Sequence, residues 1–123
     1  MVSLLYLFAN QTPPLVVHIA RGFIPGGDVL GYNTGRTAGH EIGHWLGLFH
    51  TFQGGCSDPA DHVDDTPAEA YAAIDCYPRD SCPAAGLDPV YNHMDLSIDE
   101  CRREFTSGQT TRMRELAQQY RGL

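Results

Sequence analysis

The run HEIGHWLGLFH, residues 40–50, fits the pattern HExxHxxGxxH at every fixed position. Four residues separate His40 from His44, so on a helix both imidazoles leave one face about one turn apart. Two neutral imidazoles at that spacing can hold one zinc ion. Glu41 then sits beside the metal, where a carboxylate can take a proton from a metal-activated water. Gly47 lets the backbone leave the helix sharply, because glycine accepts positive φ without a Cβ clash. The chain turns back and brings His50 round as a third ligand. Three protein ligands leave a fourth position open, as in a catalytic zinc site.

The shorter pattern HExxH can arise in any helix, and a buried histidine is more often packed than ligating. The added glycine and third histidine, at fixed offsets, weigh against that reading.

Outward from this run, the chain of 123 residues is the size of one domain. Fifteen acidic residues against eight basic ones give a formal charge of −7, which argues against nucleic acid or an anionic membrane as partner. Cys56, Cys76, Cys82 and Cys101 form no CxxC pair, so a cysteine-rich zinc site is not expected. Their even number in a loop-rich stretch points to two disulfides and an oxidising compartment. Four free cytosolic thiols are the alternative.

Residues 1–9 (M-V-S-L-L-Y-L-F-A) are apolar but lack a preceding basic residue, and they are too short to span a membrane. They read as a remnant of a longer N-terminus or an artificial start. Asn10-Gln11-Thr12 has the form of a glycosylation sequon, with Pro13 after it. Residues 15–20 (L-V-V-H-I-A) are β-branched and apolar and predict a strand. Asn33 or Thr34 is the expected cap of a helix over 36–46, whose Ile42, Trp45 and Leu46 should bury. Residues 51–89 lose periodicity and are punctuated by prolines and carboxylates. A loop this long needs support, from disulfides or from a bound calcium ion; the alternative is a solvated acidic face. Residues 90–95 lead into a tight turn around Met94. Thr106 and Gln109 form a capping box for a helix reaching about Tyr120. Met113, Leu116, Ala117 and Tyr120 make its apolar stripe, with Arg112, Arg114, Gln118 and Arg121 facing outward.

HEIGHWLGLFHTFQGGC, then DDTPA, then DPVYNHMD, then Cys101 and FTSGQTTRM, in this order, resemble the pappalysin group of metzincins. Within it the chain is most similar to secreted fungal and bacterial extracellular metalloproteases. The resemblance runs from about Val16 to the end. It implies an α+β fold: a metzincin or zincin-like catalytic domain, mainly the active-site helix and lower subdomain, with one upper-subdomain edge strand. That strand would contain Val16, Val17, His18 and Ile19 and would pair with a bound peptide. Met94 would be the Met-turn methionine, under the zinc without coordinating it. The acidic loop would carry a calcium site, with Asp58, Asp61, Asp64, Asp65 and Thr66 as candidate ligands. The cysteines would pair as Cys56–Cys82 and Cys76–Cys101.

The chain departs from the group's pattern in two places. It starts almost at the edge strand, which implies an N-terminal remnant over 1–14 and a metallopeptidase domain over 15–123 with an incomplete upper subdomain. Leu96 stands where the group has a tyrosine after the Met-turn, which implies lowered activity with the metal retained. The expected function is zinc-dependent hydrolysis of peptide bonds in extracellular proteins, with His40, His44 and His50 on zinc and Glu41 as general base. The expected partner is a protein or peptide substrate, with no membrane insertion. The competing expectation is a truncated, catalytically inactive secreted module that only binds zinc.

Overall fold

Two helices and the loops between them position everything that follows. The structure, a computed structural model, describes residues 16–123. The expectations placed on residues 1–15 therefore lie outside the described residues. A 3-10 turn, Arg21–Phe23, precedes α1, Arg36–Trp45, and α2, Ser107–Arg121. Among the described residues, one isolated parallel bridge joins Asn92 to Glu104.

Residues 16–20 are not a strand, contrary to the expectation for Val16, Val17, His18 and Ile19. β-branched residues favour extended backbone, but a strand exists only through its ladder. Among the described residues, no backbone hydrogen bond ties residues 16–19 to a neighbouring segment. The described part is thus helix and loop, and the β component of the expected α+β class is absent from it.

α1 begins differently from its expected cap. Gly35 is the N-cap, at φ 101°, and it has no side chain to cap the helix. Asp99 does so from far along the sequence. Its Oδ2 accepts from Thr34 N and Thr34 Oγ1 at 2.9 Å each and from Arg36 N at 3.4 Å. A carboxylate there satisfies orphan N–H groups and suits the positive end of the helix. Its other oxygen takes Arg102 Nη2 at 2.7 Å, and both side chains are almost wholly buried.

The end of α1 follows the expectation for Gly47. Gly47 N–H donates to His44 O and Leu48 N–H to Gly43 O, both at 2.9 Å, with Gly47 at φ +100°. This paired bonding closes the helix and reverses the chain. A Cβ on Gly47 would lie 2.3 Å from Leu116 Cδ1, so the same residue lets α2 approach.

α2 carries the expected capping box, Thr106 with Gln109. Its stripe is partly as expected, with Ala117 buried but Tyr120 half-exposed. Arg112 and Arg121 do not face outward. Arg112 Nε donates to Gly47 O and Arg121 Nη2 to Trp45 O, each at 2.9 Å, and their guanidiniums lie over Phe49 and Trp45. Two cations thus sit at the negative end of α1. Ile42, expected to bury, is 47% exposed.

Residues 46–106 contain no helix, and the chain there turns repeatedly. Two disulfides hold it, Cys56–Cys82 and Cys76–Cys101, with Cα–Cα distances of 5.4 and 5.3 Å. The interior is unusually polar. Among the described residues, eight apolar side chains are buried against sixteen polar or charged ones, so hydrogen bonds and cross-links carry much of the order.

Candidate active site

The Schellman-type turn at Gly47 brings His50 back beside α1. His40, His44 and His50 are 0%, 4% and 8% exposed, and their Nε2 atoms lie 3.1 Å from one another in all three pairs. An ion bound tetrahedrally at about 2.0–2.1 Å spaces its ligands about 3.3–3.4 Å apart, close to this triangle. The three rings are the single cluster of this kind among the described residues.

The far nitrogens fix the tautomers. His40 Nδ1–H donates to His93 O at 2.6 Å, and His44 Nδ1–H to Leu48 O at 2.8 Å. A carbonyl only accepts, so Nδ1 carries the hydrogen and Nε2 keeps its lone pair for a metal. His50 is held instead by stacking on Phe52, with centroids 4.7 Å apart and planes at 12°. Burial lowers the affinity of all three rings for protons, to about 2 for His40 and about 3 for His50, helped by the neighbouring rings. Neutral imidazoles are the form that ligates.

Glu41 is 2% exposed, and its Oε2 has no hydrogen-bond partner. Burial pushes its carboxyl above its ordinary value, which strengthens it as a base. Met94 is fully buried, and its sulfur lies 2.4 Å from where a Cβ on Gly43 would sit. Only a glycine at position 43 lets the Met94 turn pack this close under the helix that carries the histidines.

The five candidate calcium ligands do not converge as a set. Asp61 and Thr66 are buried together, whereas Asp58 and Asp64 are exposed. Asp65 is used elsewhere: it accepts from Thr106 Oγ1 at 2.7 Å and Gly108 N at 2.8 Å, extending the cap of α2. Leu96 contributes its carbonyl, which accepts from the Tyr32 hydroxyl at 2.8 Å.

Several residues that hold the site were not singled out in the sequence. Asp99 and Arg102 fasten the start of α1, and Asn92 holds the Met94 turn. Glu69 and Asp95 lie buried beside Thr51, the residue after His50. None of these belongs to a periodic stripe. Only Gln109 carried a signal, through its place in the capping box.

A helix bearing HExxH, a glycine turn and a third converging histidine form a candidate metal site of the zincin type. A family profile described as Pregnancy-associated plasma protein-A matches residues 10–118. The chain belongs to that family, the pappalysin group of metalloproteases. It is 59% identical over 100 residues to an extracellular metalloprotease of Neurospora crassa, covering 80% of this chain and 35% of that protein. It is 52% identical over 99 residues to extracellular metalloprotease 1 of Coccidioides posadasii, covering 80% and 36%. Among solved structures it is similar to mirolysin in complex with compound 9, at 36% identity and a TM-score of 0.66, covering 79% of this chain and 39% of that one. Mature mirolysin of Tannerella forsythia with a cleaved peptide gives 36% identity and a TM-score of 0.61, covering 72% and 35%. The chain spans about a third of the length of the curated relatives it matches. No helix among the described residues is long and apolar enough to cross a membrane.

Proposed function

We propose that the chain is a secreted zinc-dependent metalloendopeptidase acting on peptide bonds in extracellular proteins. The convergence of three buried, neutral Nε2 atoms beside an unpartnered Glu41 oxygen carries the reading. Zinc held by His40, His44 and His50 would supply a Lewis acid and an activated water. Glu41 does the proton work of the protein. Its Oε2 is buried without a competing donor, so it can take a proton and return it to a departing amine. His93 O and Leu48 O keep two ligand rings oriented while this happens. Met94 is proposed as the floor of the site, locked by its contact with Gly43.

Calcium is proposed as a second ion, with its donor set narrowed to Asp61, Thr66 and the Val63 carbonyl. The Thr66 hydroxyl has one hydrogen, yet three acceptor oxygens crowd it. Asp61 Oδ1 and Oδ2 lie at 2.7 and 2.6 Å, and Val63 O at 2.8 Å. Converging oxygens in excess of donors are what a hard cation satisfies.

One observation favours the second reading, a zinc-binding module without activity: residues 16–19 belong to no strand among the described residues, whereas an extended substrate adds to a sheet edge. Elemental analysis of the purified chain, together with hydrolysis of a generic protein substrate, separates the two. One zinc with turnover supports the peptidase, and one zinc without turnover supports the module. No stoichiometric zinc removes both.

A further inference from the structure

Behind His50 lies a second buried acidic group that the chemistry above does not use. Glu69 and Asp95 are both fully buried. Glu69 Oε1 accepts from Thr51 Oγ1 at 2.7 Å, and Glu69 Oε2 from Arg79 Nη2 at 3.0 Å. Asp95 Oδ1 accepts from Ala73 N at 2.9 Å and Leu96 N at 2.8 Å. Asp95 Oδ2 is buried and accepts from no N–H or hydroxyl of the described residues. The two buried carboxyls neighbour each other, and each bears on the other's affinity for a proton.

Charge balance shows what that contact must contain. Arg79 is the cation paired with Glu69, and it is shared with Asp88, to which its Nε donates at 2.5 Å. Asp88 is held below its ordinary value despite its burial, by Ser81 and Arg79, and so takes the guanidinium's charge. Tyr71 stacks under Arg79 and accepts from its Nη2 through the backbone carbonyl, and both it and Thr51 are neutral. If Glu69 and Asp95 were also both ionised, two buried negative charges would face each other with no cation left. Two carboxylates in contact cannot both ionise under such burial. Asp95 receives two backbone N–H bonds, which favour its charged form, so the proton belongs on Glu69.

We infer that Glu69 is a positioning residue that works as a neutral acid. Its carboxyl proton goes to Asp95 Oδ2, and its oxygen receives the Thr51 hydroxyl. One protonated side chain thereby ties the segment of the third histidine to the turn of Met94. Burial and the neighbouring Asp95 push the Glu69 carboxyl up to about 8 from 4.5, in agreement with this geometry. Because the folded value lies above the unfolded one, the contribution is complete below about 4.5 and is lost as pH rises to about 8. The consequence for the zinc site rests on the metallopeptidase reading. The protonation state does not.

The test compares Glu69→Gln and Glu69→Ala with the parent chain at pH 7. Glutamine keeps a donor for Asp95 and an acceptor for Thr51 but carries no charge. The infrared spectrum of the parent should show a protonated-carboxyl carbonyl stretch that is missing in Glu69→Gln. Melting temperature should fall more steeply between pH 5 and 8 in the parent than in Glu69→Gln. Glu69→Ala should melt about 5–10 °C below Glu69→Gln, because two buried groups lose their partner. Zinc retention in a competing chelator should follow the same order, with glutamine rescuing what alanine loses. If the two spectra do not differ in that stretch, or glutamine is as damaging as alanine, Glu69 is an ordinary carboxylate partner of Arg79 and the inference falls. These readouts need no turnover, so an inactive chain would not confuse the outcome.

Discussion

The side-chain amides of Asn92 and Gln109 bond to each other in both directions. Asn92 Nδ2 donates to Gln109 Oε1 at 2.8 Å, and Gln109 Nε2 donates to Asn92 Oδ1 at 3.0 Å. Each oxygen also serves a backbone donor. Gln109 Oε1 receives Thr106 N at the start of α2, and Asn92 Oδ1 receives Met94 N in the turn under α1. The capping box of one helix is therefore joined, through two buried amides, to the floor beneath the other.

Removing either amide should loosen both ends. Asn92→Ala or Gln109→Ala leaves buried donors and acceptors unsatisfied, at about 1–3 kcal/mol. Denaturant titration measures the loss. The double variant should lose less than the sum of the singles, since one contact is removed twice. Additive losses would show that the amides act independently.

Asp99 and Arg102 give a larger effect and an acid signature. Asp99→Asn leaves the Arg102 guanidinium buried without its counter-charge, which costs about 3–5 kcal/mol. Burial alone would raise the Asp99 carboxyl, but bonds from Thr34 and Arg102 outweigh it and hold it below its ordinary 3.8. A depressed folded value gives stability that is present above about 3.8 and is lost as pH falls below it. Melting curves between pH 5 and 2 should fall more steeply for the parent than for Asp99→Asn. Parallel curves would mean that Asp99 does not titrate with folding.

The parts of the site legible in the sequence are those encoded locally. His40 and His44 follow from helical spacing, Gly47 from its freedom at positive φ, and the start of α2 from Thr106 and Gln109. The α1 cap was misplaced because Asp99 arrives from more than sixty residues away and displaces the local candidates Asn33 and Thr34. The resemblance made Asp65 a candidate metal ligand, whereas tertiary folding brings its carboxylate to the N-terminus of α2. The outward placement of Arg112 and Arg121 failed for a similar reason. Long cationic side chains can lie back along a helix and meet the carbonyls of a neighbour. In residues 51–89 no periodicity could reveal the core, because what is buried there is largely carboxylate and hydroxyl.

Glu41→Gln separates metal binding from chemistry. The amide keeps the volume of the side chain but cannot take up a proton, so zinc stoichiometry should persist while hydrolysis falls by at least about 100-fold. Metal analysis and a fluorescent protein substrate measure the two. Retained turnover would move the general base elsewhere.

The last prediction concerns what holds residues 51–89 against the site. The disulfides enclose loops with sequence separations of 26 and 25. Closing loops of that length contributes about 3–4 kcal/mol each on chain-entropy grounds. Reduction should therefore lower the melting temperature by well over ten degrees. Calcium at Asp61, Thr66 and the Val63 carbonyl would act on the same stretch by a different route. Burial raises the Asp61 carboxyl, so without a cation its charge is an unfavourable element of the fold. A calcium-specific chelator should lower the melting temperature of the oxidised, zinc-loaded chain and speed proteolysis within 56–68. Asp61→Asn should melt lower than the parent in calcium and respond little to the chelator. If the parent itself melts unchanged after calcium removal, Asp61 and Thr66 are a self-contained hydrogen-bonded turn, and the disulfides alone hold the loop.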